Sequence, residues 1–139
     1  MSFGGRTNQA DSTAIDGEGW PDLSTSEFRD IRRVSPVFDN GTIAMAISIA
    51  ALNVQGQLAA LLVDGKPPEL NAAKMFTYKR AVYGRAHAEL LAEFATQDQR
   101  AEANNAATDD PEQYDRFLSQ SSRDICLLLN RSPNGIASI

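Results

Sequence analysis

Residues that carry chemistry are scarce in this chain of 139: it holds one cysteine, Cys126, and one histidine, His87. A single cysteine excludes an intrachain disulfide and makes a reducing compartment the default. A lone histidine excludes a zinc centre, which needs three or four convergent ligands, and the nearby Glu89 and Glu93 have the character of solvated helical carboxylates. A nucleophilic pair would require Cys126 and His87 to meet beside a third orienting group, and nothing in their spacing suggests it. Neither phosphate-cradling pattern, GxGxxG nor GxxxxGK(S/T), is present. Gly4-Gly5 and Gly17-Glu18-Gly19 precede a capped helix instead of following a strand. The sequence therefore points to a non-enzyme with no metal and no cofactor.

Basic residues are also in deficit. Thirteen Lys and Arg stand against eighteen Asp and Glu, for a net charge of −5. That argues against a protein whose main task is to grip a phosphate backbone, and it suits a surface that DNA slides past; solubility alone explains it equally well. Aromatics make up 7%. No N-terminal segment has the charged-then-apolar layout of a signal peptide. The longest apolar-rich segment, Ile43 to Val63, is interrupted by Ser48, Asn53, Gln55, Gly56 and Gln57, so it reads as a core helix and not a membrane span.

What is present is helical. Hydrophobic residues are 42% and charged residues 22% of the chain, which suits one globular domain. Residues 1–19, rich in glycine and small polar residues, read as a flexible arm. Trp20 ends it, packing on the first helix or pinning the arm to a surface. Ser24 and Glu27 form a capping-box pattern that opens a helix over about Thr25 to Arg33, with Phe28, Ile31 and Val34 as its apolar stripe, and Pro36 ends it. A second helix, capped by Asp39 or Asn40, is expected to run to Val63. Its apolar residues Ile43, Ile47, Ala50, Ala51, Val54, Leu58, Leu61 and Leu62 fall at helical spacing, and a close helix crossing would compensate Gly56. Asp64-Gly65-Lys66-Pro67-Pro68 is a loop. A third helix extends from Leu70 or Asn71 to about Ala103, with Met75, Tyr78, Val82, Ala86, Leu90 and Phe94 on one stripe and Phe76, Tyr83 and Leu91 beside it. Asp110-Pro111-Glu112 starts a fourth, whose core face is Tyr114, Phe117, Leu118, Ile125, Leu128 and Leu129, with Cys126 as a small buried group. With no credible strand, the expectation is an all-α four-helix bundle over residues 20–130, between a flexible N-terminal arm and an extended C-terminal tail.

Two features bear on partners. Arg29, Arg32 and Arg33 cluster on the first helix, and Lys74, Lys79, Arg80 and Arg85 on the third. They form solvated faces bridged to Glu27, Asp30 and Glu89, or a subunit interface, or a DNA-binding surface. The tail, residues 131–139, ends in Ile136-Ala137-Ser138-Ile139 and is too short to fold alone. Its isoleucines need a groove or sheet edge on another subunit.

Trp20-Pro21-Asp22 before the first helix, Val34-Ser35-Pro36 between the first two, Tyr78-Lys79-Arg80-Ala81-Val82 in the third and the terminal Ile136-Ala137-Ser138-Ile139 occur in an order that resembles the head completion, or head–tail connector, proteins of contractile-tailed temperate bacteriophages, the gene product L family. The resemblance spans Trp20 to the C-terminus. It implies a virion neck protein, made in the host bacterial cytoplasm, that joins the portal protein of a filled capsid. There it forms a ring, expected to be dodecameric, and extends the DNA channel without binding the packaged DNA specifically. It also offers a surface to the tail terminator or other neck proteins, and it involves no membrane. On that reading Arg131, Pro133, Ile136, Ala137, Ser138 and Ile139 engage the portal, and Arg29, Arg33, Arg80 and Arg85 face the adjacent copy. The rival from another class is a small helical regulatory protein that binds nucleic acid through a basic face.

Overall fold

A computed structural model describes residues 12–101 and 110–131, the side chains of 94–101, 110 and 111 excepted. Two short strands, β1 (Ala14–Ile15) and β2 (Leu23–Ser24), precede four helices: α1 (Thr25–Arg32), α2 (Asn40–Gln57), α3 (Ala72–Ala101) and α4 (Asp110–Leu129). A single 3-10 turn, Ala59–Leu61, follows α2.

The helix ends follow the cap chemistry of the sequence. Ser24, extended at φ −154°, accepts from Glu27 N at 3.1 Å and opens α1. Asp39 accepts from Thr42 N at 2.7 Å to open α2, and Asn71 accepts from Lys74 N at 2.9 Å to open α3. At the far end of α4, Asn130 takes the left-handed conformation (φ 61°). Its N–H bonds Leu127 O, and Arg131 N bonds Cys126 O at 2.8 Å, which together close a Schellman cap.

Three expectations are corrected. The periodicity carries α2 to Val63, but the α-helix stops at Gln57. Val63 and Lys66 bond each other's backbone at 2.9 Å across Asp64-Gly65, both at positive φ. That tight turn requires extended backbone before it, and Leu62 supplies it at ψ 140°. No strand is expected, yet β1 pairs antiparallel with β2, Ala14 opposite Ser24 and Ile15 opposite Leu23. Two-residue strands carry no readable alternation. Here they are fixed by Thr13, which donates to Thr25 Oγ1 and accepts from Thr25 N, and by Ile15 against the core. Residues 12–19, assigned to the flexible arm by composition, therefore pack on the domain; residues 1–11 lie outside the described residues. Gly17 allows the tight return, since a Cβ there would run into the Trp20 carbonyl. Third, Trp20 reaches the third helix as well, stacked on Tyr78 at 5.3 Å within the core cluster.

The core comprises Leu23, Phe28, Ile43, Ile47, Val54, Leu58, Tyr78, Val82, Tyr83, Leu90, Ile125 and Leu128 with interleaved alanines. Its arrangement refines the expected bundle. α3 is the central element, packed on both α4 and α2, while α1 touches α2 and α3 and joins β2. The helices are the expected four among the described residues, but α2 and α4 do not pack on each other as they do on α3, so the bundle stays open. Ile31, Leu62 and Phe76, placed on core stripes by periodicity, are exposed, and Cys126 is half-buried. Among the described residues no helix crosses at Gly56, and nothing lies within 4 Å of where its Cβ would stand.

Candidate functional site

Four basic residues, Arg29, Arg32, Lys79 and Arg80, are engaged within the chain. Arg29 donates through Nη2 to Phe38 O at 2.8 Å and to Asn40 Oδ1 at 3.0 Å, which ties α1 to the start of α2; its Nε is buried without a partner among the described residues. Arg80 forms a two-pronged ion pair with Asp124 at 2.9 and 2.7 Å. Asp124 is 1% exposed and the Arg80 side chain 51% exposed, so the pair joins α3 to α4 with one face in water. Of the other two residues expected to face a neighbour, Arg33 is exposed at the left-handed end of α1, and Arg85 is half-buried and makes no ion pair among the described residues.

Lys79 meets Glu27 at 3.0 Å, as expected, but no ion pair to Asp30 or Glu89 forms among the described residues. Glu27 does not complete the capping box. Its carboxylate also accepts from Tyr83 Oη at 2.6 Å, and the Tyr83 oxygen accepts from Ser24 N at 3.1 Å. Burial and the Glu27 carboxylate push the Tyr83 phenol far above its ordinary value, so it stays a neutral donor. Asp124 was the partner that charge counting missed. The signal was its place beside Ser121, Ile125 and Leu128 on the apolar face of α4, where an unpaired carboxylate would not be tolerated.

His87 sits in a structural cluster. Its Nδ1 accepts from Arg32 Nε at 3.1 Å, its ring stacks on Phe117 at 4.8 Å, and the Arg32 guanidinium lies 4.5 Å from the Phe117 centroid. An imidazole that accepts at Nδ1 is neutral there. Burial first, and then the positive Arg32, pull its pKa down to about 4. Burial, followed by the charge of Arg80, lowers the pKa of Arg32 as well. Cys126 lies nine residues beyond Phe117, roughly 13 Å along α4, so it does not reach the imidazole. Among the described residues no three His, Cys, Asp or Glu gather to hold a metal ion, and no helix is long and apolar enough to cross a membrane.

The surface also carries large apolar side chains. Met45 (65% exposed), Ile49 (59%) and Leu52 (72%) stand on α2, and Phe76 (68%) and Leu127 (63%) on α3 and α4. The α2 residues recur at four- and three-residue spacing. Residues 40–63 contain no Asp, Glu, Lys or Arg, the signal in the sequence for this apolar stretch. Arg131, at the end of α4, is exposed, whereas Pro133, Ile136, Ala137, Ser138 and Ile139 lie outside the described residues.

None of the curated proteins or solved structures compared with this chain matches it. A family model does, that of the phage head completion protein (GPL), over residues 16–139. The match takes in the turn at Gly17, Trp20, all four helices and the terminal segment. That match establishes that the chain, a helical domain, belongs to the phage head completion protein (GPL) family, structural virion proteins that interact with other head or tail proteins.

Proposed function

We propose that this protein is a head–tail connector that binds the portal vertex of a filled capsid as a ring, extends the DNA channel and presents a docking surface to tail components. Attachment is assigned to residues 131–139, with Ile136 and Ile139 as anchors. The observation that carries this reading is the closed end of α4. Both Schellman bonds are made at Asn130 and Arg131, so the helix stops cleanly and the chain leaves it at an exposed residue. The family match continues from there to residue 139. A short segment of this kind binds by adding to a sheet edge or groove, with the main chain giving affinity and the isoleucine side chains giving specificity. The net charge of −5 is of the sign that keeps DNA moving past a channel wall. Arg33 and the exposed face of Arg80 remain available to a neighbouring copy.

The nucleic-acid-binding alternative needs a free basic face, but Lys79, Arg80 and Arg32 are engaged by Glu27, Asp124, and His87 with Phe117. Deleting residues 133–139 tests the connector reading. The truncated chain is expected to keep its helical circular dichroism and to lose attachment to purified portal rings in negative-stain images. Attachment with unchanged affinity would refute it.

A further inference from the structure

The face of α2 turned away from α3 carries Met45, Ile49, Leu52 and Gly56, at successive steps of four, three and four residues. This is the spacing of a helix–helix seam. The opposite face, Ile43, Ile47 and Val54, is fully buried, so the outer stripe is separate from the core contact. Where a Gly56 Cβ would stand, nothing lies within 4 Å, which leaves room for close approach by another backbone. A helix apolar on both sides belongs between two packing partners, and the fold supplies one.

A second apolar patch lies elsewhere in the domain. α3 and α4 run antiparallel, as the pairs Arg80–Asp124, Ala81–Ser121 and His87–Phe117 show. Phe76 is one turn before Arg80 and Leu127 one turn after Asp124, so both fall at the same end of the hairpin beside the ion pair. The two patches lie on different elements, the stripe on α2 and Phe76 with Leu127 on the α3–α4 hairpin.

Charge selects the occupant. No charged group lies within residues 40–63, so a partner that binds through ion pairs gains nothing on this stripe, and a charged face would be desolvated against it without compensation. The charges nearby differ: exposed Asp39 precedes the α2 stripe and exposed Asp64, with Lys66 in the same turn, follows it, whereas exposed Arg123 lies one turn before Leu127 and the half-exposed Arg80, paired with Asp124, one turn after Phe76. A two-fold contact of α2 on α2 would leave Phe76 and Leu127 wet. Two unlike patches suit the head-to-tail contact from which rings are built.

We infer that copies of this chain associate head-to-tail, the Met45–Ile49–Leu52 stripe of one seated on the Phe76–Leu127 patch of the next. The inference rests on the proposed reading that several copies work together, and it names the surfaces they use. Leu52→Glu and Leu127→Glu, both at exposed positions, test it in the full-length chain by sedimentation velocity at high protein concentration, with circular dichroism as the folding control. The wild type is expected to form multimers and each single variant, which has no intact pair of unlike patches, to stay monomeric. An equimolar mixture of the two variants still has one intact pair of unlike patches and should give heterodimers. Loss of association in Leu52→Glu alone would mean α2 meets α2 and would overturn the inference, as would a wild type that stays monomeric. Variants that associate normally but no longer attach to the portal would give the stripe to the portal and overturn it too. The tail deletion leaves both patches intact, so failure of portal attachment and failure of copy–copy contact are read separately.

Discussion

His87 is the residue at which burial and charge act together. Its pKa falls from 6.5 to about 4, so the folded protein binds fewer protons than the unfolded chain between those values. The contribution of the neutral imidazole to stability is therefore complete above pH 6.5 and is lost as pH falls through about 4. Protonation would place a cation against Arg32 and remove the acceptor at Nδ1. His87→Asn keeps a nearby acceptor for Arg32 but does not titrate. Its urea-unfolding midpoint is expected to fall less than that of the wild type as pH drops from 6.5 to 4. Parallel curves for the two proteins would disprove the assignment. At the same scale, Tyr83→Phe removes the acceptor of Ser24 N and the donor to Glu27, at a cost of about 1–3 kcal/mol in chemical denaturation.

Among the elements, the α3–α4 joint has an asymmetric weak point. Removing Arg80 leaves the Asp124 carboxylate buried without its donor, whereas neutralising Asp124 leaves Arg80 with access to water. Arg80→Ala should therefore cost more than Asp124→Asn. The expected cost is about 3 kcal/mol, the low end for a broken buried pair because the arginine side is wet. Equal costs in urea titrations would mean the pair acts as a surface bridge. The strand pair gives a second test. A chain starting at Ser12 keeps the Thr13–Thr25 bonds and Ile15, and one starting at Trp20 loses both, which amounts to about 2–4 kcal/mol by the same titrations. These two elements also mark where the sequence is readable. The helices announce themselves through Ser24, Asp39 and Asn71 as caps and through three- and four-residue apolar spacing, because those signals are local. β1 and the early end of α2 are not readable that way, since they depend on Thr25 and on the Asp64-Gly65 turn acting across the chain. The site divides similarly. Arg29 and Arg80 look like interface residues by type, and only their partners Asn40 and Asp124, eleven and forty-four positions away, reveal that they hold the domain together.

At the scale of the whole molecule, two kinds of adhesion compete to explain how copies would meet, and salt separates them. Each copy carries −5, so long-range forces push copies apart. If exposed arginines such as Arg33 supplied the contact, screening would remove it, because at 1 M salt the Debye length is about 3 Å and exposed ion pairs retain little attraction. The α2 stripe has no charge to screen. Burial of Met45, Ile49 and Leu52 persists in salt while the repulsion between copies fades, and only the rim pairs weaken. Association measured by sedimentation equilibrium is therefore expected to be at least as strong in 1 M sodium chloride as at low salt. Dissociation of the multimers on adding salt would transfer the contact from the apolar stripe to the arginines, and Arg33→Ala would then do what Leu52→Glu is expected to do.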